Sequence, residues 1–133
     1  MELEARKGDE GARERLSGRV IGCALEVHRA LGPGLLESAY EQCLAHELTR
    51  AGLNFQRQKS MPVNYKARNL DCGYRLDFLV EDRLILELKS VEKITELHRA
   101  QLLSYLRLSG LRCGLLLNFN SLRLKDGLVR IVM

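Results

Sequence analysis

Residues 73 to 90, GYRLDFLVEDRLILELKS, constrain the fold more than any other stretch, because they are two alternating runs joined by a few polar residues. In the first run Tyr74, Leu76, Phe78 and Val80 fall on one face, and Arg75, Asp77 and Leu79 on the other. In the second run Leu84, Leu86 and Leu88 lie opposite Ile85, Glu87 and Lys89. A two-residue turn at Glu81-Asp82 would set Asp77 across from Leu86, mixing charge into the apolar face. A three-residue loop, Glu81-Asp82-Arg83, instead pairs Val80 with Leu84, Phe78 with Leu86 and Leu76 with Leu88. The other face then pairs Leu79 with Ile85, Asp77 with Glu87 and Arg75 with Lys89. A one-residue slip turns a whole strand over, so the apolar set selects the three-residue loop.

That register opposes two carboxylates, which repel and give no stability on their own account. Two close carboxylates beside a lysine do suit a divalent cation and phosphate chemistry. The carboxylates offer hard oxygen ligands, and Lys89, on the same strand face as Glu87, can stabilise charge developing on a phosphate. The competing reading is a solvated sheet face with a weak Glu87–Lys89 surface pair.

Around this hairpin the chain reads as a single mixed α/β domain. Residues 1–16 hold nine charges and form a charged lead-in, and residues 17–133 form the domain. Ser17 is a plausible N-cap for a helix whose Ile21, Ala24, Leu25, His28 and Leu31 recur at helical spacing. Gly32-Pro33-Gly34 ends it, and a second helix spans 35–50 with Gly52 behind it. Strands follow over 55–65, 71–80, 84–89, 113–119 and 128–132, with a helix over 95–109 closed by Gly110. The order ααβββαββ predicts a central mixed sheet flanked by helices.

Composition narrows the function classes. The charged start MELEARKGDE lacks a secretory leader's apolar core, and no run nears the about 18 apolar residues of a membrane span, so a cytoplasmic protein is expected. Cys23, Cys43, Cys72 and Cys113 are separated by 20, 29 and 41 residues, which suits reduced thiols better than a zinc or iron–sulfur site. The formal charge of +4 fits a nucleic-acid partner, while 5% aromatic content argues against an extended base-stacking platform. No phosphate-cradling GxxxxGK[ST] or dinucleotide GxGxxG motif occurs.

DFLVEDRLILELK resembles the Asp…(Asp/Glu)-X-Lys core of the PD-(D/E)XK nuclease superfamily, and GLLESAY, residues 34 to 40, resembles the signature of its small bacterial GxxExxY family. VHRALGPGLLESAYEQCLAHEL, YRLDFLV, LELKSVEKI, AQLLSYL and GLLLNFNS extend the likeness from about residue 17 to the C-terminus. The usual proline before the first acid is replaced by Leu76.

The resemblance implies a restriction-endonuclease-like fold and a Mg²⁺- or Mn²⁺-dependent nuclease acting on nucleic acid, with DNA the expected substrate and a homodimer possible. It assigns Asp77, Glu87, the Leu88 carbonyl and Glu37 to the metal. Lys89 becomes the catalytic lysine, supported by Gln101 and Tyr105 of a QxxxY motif. Tyr40, Arg75, Tyr105 and His98 are the candidate substrate contacts. The alternative is the same fold as an inactive nucleic-acid- or protein-binding module.

Overall fold

The computed structural model describes residues 2–133, with side chains described from Glu10 onward. Helix α1 (Glu2–Leu31) runs unbroken through residue 17. Ser17 is therefore no N-cap: it lies buried in mid-helix, where its hydroxyl accepts from Arg130 Nε at 3.4 Å and sits 3.8 Å from Cys113 Sγ. No proline interrupts residues 2–31, so the helix has no reason to stop at its charged end. The buried stripe also differs from the expected one. Leu16, Val20, Cys23, Ala24 and Val27 face the core, while Leu25 and Leu31 are exposed. Both stripes have helical period, and packing on the sheet favours the smaller side chains, which let the helix approach closely.

Helix α2 (Glu37–Arg50) follows, then β1 (Phe55–Ser60), β2 (Val63–Tyr65), β3 (Arg68–Leu70), β4 (Arg75–Val80), β5 (Leu84–Lys89), α3 (Glu96–Ser109), β6 (Cys113–Asn118) and β7 (Leu128–Val132). The long strand expected over 55–65 is broken at Met61-Pro62, because proline has no N–H to give a ladder. Residues 63–70 instead form a separate β2–β3 ribbon, and residues 71–74 lie outside any strand. Thr95 caps α3 through the His98 N–H, and Gly110 ends it at φ 74°.

The five long strands form one mixed sheet in the order β1-β4-β5-β6-β7, antiparallel except for the parallel β5–β6 pair that α3 bridges. This is the expected α/β architecture, a mixed sheet flanked by helices. On one face α1 and α2 pack against Phe78, Val80, Leu86, Leu88, Leu115 and Leu117. On the other, Leu102, Tyr105 and Leu106 of α3 pack against Leu76, Leu79, Ile85 and Leu116. Every residue of β6 is buried, as a central strand covered on both faces requires. Among the described residues no helix is long and apolar enough to cross a membrane.

The turn between α1 and α2 is locked from within. Gly34 adopts φ 102°, a conformation costly for any residue with a Cβ. Tyr40, one turn into α2, is fully buried and stacks on Phe119 with ring centroids 4.6 Å apart. Its hydroxyl donates to the Gly32 carbonyl at 2.6 Å and accepts from the Leu35 N–H at 3.1 Å. Tyr40→Phe leaves both backbone groups without that partner. It should lower stability by about 1–3 kcal/mol, read from urea unfolding.

Candidate active site

The β4–β5 hairpin has the expected register, with Val80 opposite Leu84, Leu79 opposite Ile85 and Phe78 opposite Leu86. The ladder then stops. In place of a further backbone pair, Asp77 Oδ2 accepts the Leu88 N–H at 2.8 Å. Across the other edge of β4 stands Gln58, at φ 50°, where the β1–β4 pairing skips one position. Strict alternation fails at Asp77, between these two interruptions. Leu76 joins Leu79 on the α3 face, and Tyr74 meets Tyr105 edge-on, while Phe78 and Val80 stay on the α1–α2 face. The expected common face of Tyr74, Leu76, Phe78 and Val80 is thus split in two, and Leu76–Leu88, Asp77–Glu87 and Arg75–Lys89 are not ladder pairs.

Asp77 and Glu87 nevertheless meet. Glu87 is 4% exposed, and its Oε1 has no hydrogen-bond partner. Burial, first, and then the hydrogen bond and charge of the adjacent Asp77 carboxyl push its pKa up to about 9, with Lys89 opposing the rise. An acid held this way resists ionising unless a cation joins it. Lys89 follows on the same strand face, half-buried and near enough to act on Glu87.

The far side of this pair is closed by α3. Tyr105 is buried, and its hydroxyl is held un-ionised first by burial and then by Glu87, Tyr74 and Asp77, against a hydrogen bond from Gln101. Gln101 and Tyr105 therefore approach the acid pair together. On the α2 side, Glu37, Ser38, Glu41, Gln58, Asp77 and Leu88 line a pocket of about 190 Å³. Glu37 opens α2, is exposed and lines this pocket together with Asp77, whereas Glu87 does not line it. Tyr40 turns away into the α1–α2 turn. His98 spends its Nδ1 on the Thr95 N–H at 3.0 Å, and Arg75 is exposed at the start of β4.

Three supporting side chains escaped the sequence reading. Gln58 Nε2 donates to Glu41 Oε1 at 2.5 Å and lies 3.5 Å from Asp77 Oδ1. Glu41 is further tied to Arg57 at 2.9 Å, which leaves it less free than Glu37. Glu41 and Gln58 carry no sequence signal that marks them out. Asn118, 2% exposed, staples the turn after Lys89: it accepts from the Val91 N–H at 3.1 Å and donates to the Val91 carbonyl at 2.9 Å. Its signal lay in the polar end of an otherwise apolar strand.

A splayed antiparallel hairpin carrying Asp, Glu and Lys, flanked by helices on a mixed sheet, defines the restriction-endonuclease-like class of α/β domains. Residues 14–131 match the family model of the PD-(D/E)XK nuclease superfamily, and the chain belongs to that superfamily. No curated protein and no solved structure matches it significantly.

Members of the superfamily generally use divalent metals. Among the described residues no group of three or more His, Cys, Asp or Glu side chains stands close enough to hold an ion. The orphaned Glu87 Oε1 against a second carboxyl does fit a cation, which would supply the partner that the protein withholds.

Because folded Glu87 holds its proton to about pH 9 and an unfolded glutamate releases it near 4.5, the folded state binds more protons in between. The metal-free protein should therefore lose stability as pH rises from about 5 to about 9. Glu87→Gln should flatten that decline and melt above the parent protein at pH 8, as followed by thermal denaturation in EDTA.

Proposed function

We propose that this chain is a Mg²⁺- or Mn²⁺-dependent nuclease that hydrolyses phosphodiester bonds, DNA being the substrate. The observation that carries the reading is the buried, unpartnered Glu87 oxygen beside Asp77, with Lys89 next on the same face. Asp77 and Glu87 would hold the ion, the Leu88 carbonyl adding to their share and Glu37 reaching it from α2. When bound, the cation would offset charge on the phosphate and acidify an attacking water.

The chain's own groups do the rest. The Leu88 N–H fixes the Asp77 carboxylate, so the acid is oriented before substrate arrives. The Lys89 ammonium stabilises negative charge as it grows on the scissile phosphate. Asn118 and the Phe119 N–H, which bonds the Lys89 carbonyl at 2.9 Å, hold the backbone that carries the lysine. Gln101, through Tyr105, keeps polar groups facing the acid pair, and Arg75 and the free Nε2 edge of His98 would receive the phosphate backbone.

The finer family reading is the GxxExxY group, supported by what each motif residue does. Gly34 takes the positive φ, Glu37 enters the pocket and Tyr40 locks the turn. A cytoplasmic setting is supported by four free cysteines, and a homodimer would give so small a domain more surface for a duplex.

Lys89→Ala should cut divalent-dependent cleavage about 10²–10³-fold while leaving Mn²⁺ binding intact, and Lys89→Arg should not restore it. Asp77→Asn should lose both cleavage and Mn²⁺ binding. Turnover and calorimetric Mn²⁺ titration on the same preparations test both. No cleavage of DNA or RNA by the parent protein, with either metal, would favour the inactive binding module.

A further inference from the structure

The β2–β3 ribbon plays no part in the site, yet it is unusual on three counts. Its strands contact chiefly each other, and apart from half-buried Val63 every residue from Val63 to Leu70 is exposed. A two-stranded hairpin without a covered face is marginal in water. Its turn puts Lys66 at φ 49° and Ala67 at φ 65°, two positions that glycine or asparagine would fill more easily.

Charge is the third count. From Gln56 to Arg75 the chain places Arg57, Lys59, Lys66, Arg68 and Arg75 against one acid, Asp71. These twenty residues net +4; Arg57 is paired with Glu41, and Lys66 and Arg68 lie on the ribbon itself, which holds no acid. Pairing sets Tyr65 opposite Arg68 and Asn64 opposite Asn69. The asparagines line a groove against Leu108 and Leu111, so the Tyr65–Arg68 face looks outward, with Lys66 at the tip, its Nζ 5.4 Å from the Tyr65 ring centroid. The ribbon's base is tied to the site: the Met61 N–H bonds the Tyr74 carbonyl at 2.9 Å, Met61 is buried, and β4 leads in two residues from Arg75 to Asp77.

We propose that the β2–β3 ribbon is the element by which this protein grips B-form duplex DNA, entering the major groove with Tyr65, Lys66 and Arg68. The proposal deepens the nuclease reading and rests on it for the choice of nucleic acid. Strands of three residues are about 10 Å long, and a two-stranded ribbon fits the about 12 Å wide major groove of B-DNA. The deep, narrow major groove of A-form RNA does not admit it.

The test is fluorescence anisotropy of the full chain in EDTA, with a labelled duplex DNA and a duplex RNA of equal sequence and length. The parent should bind the DNA at least about tenfold tighter. Lys66→Gln with Arg68→Gln should remove most of that preference and make the salt dependence of binding shallower by about one to two ions. Melting temperature and Mn²⁺ titration should be unchanged, since both side chains are exposed and distant from Asp77 and Glu87. Equal binding of the two duplexes, or a double variant with parental DNA affinity and salt slope, overturns the proposal. If the double variant loses duplex affinity but the parent binds no Mn²⁺ and cleaves nothing, the ribbon's role stands and the nuclease reading fails.

Discussion

The site depends on one hydrogen bond, the Leu88 N–H to the Asp77 carboxylate. By taking a backbone donor that a regular hairpin would give to a carbonyl, Asp77 ends the β4–β5 ladder and lets the strands diverge. Divergence brings the Asp77 and Glu87 carboxyls together without their being direct cross-strand partners. On its other edge β5 pairs along its full length with β6. On β5 Glu87 lies between Ile85 and Lys89 on one face, with Leu116 of β6 beside it, and its burial raises the cost of its charge.

Such a pair is destabilising, and the surrounding structure holds it in place. Leu86, Leu88, Leu115 and Leu117 are buried under α1 and α2, and Ile85 and Leu116 under α3, so the strand that carries Glu87 is fixed by core on both faces. Gln58, at positive φ, is a second strained position at the same spot, and Asn118 and the Tyr40 hydroxyl fix the loops on either side. Strain and like charge gathered at one place, within an otherwise consistent core, are how a functional site differs from its scaffold.

The hairpin register was legible because an apolar pattern allows only one pairing, and the positions of Glu87 and Lys89 followed from it. The C-terminal end of α3 was legible because Gly110 is a local stop signal with a local effect. The resemblance added Glu37, Gln101 and Tyr105, which alternation alone could not bring to the hairpin. What the sequence left hidden was set by partners distant along the chain. Leu76 crosses to the α3 layer next to the unpaired Gln58–Asp77 position, and buried Ser17 meets Arg130 and Cys113 from far along the chain. Pro62 was readable as a strand breaker, but the alternating residues around it masked the break.

The crossover between β5 and β6 has a kinetic side. The β4–β5 hairpin closes over three residues, whereas β5 cannot meet β6 until the 23 residues between them have folded back through α3. Non-local parallel pairing of this kind forms late. If the local hairpin precedes the crossover, the two acids lose their water only when α3 and β6 dock. The penalty for confining their charge falls on that last step, so alkaline, ion-free solution should slow the final docking more than the early collapse. For a chain of this topology, the chemistry of the site becomes a checkpoint on the completion of its own fold.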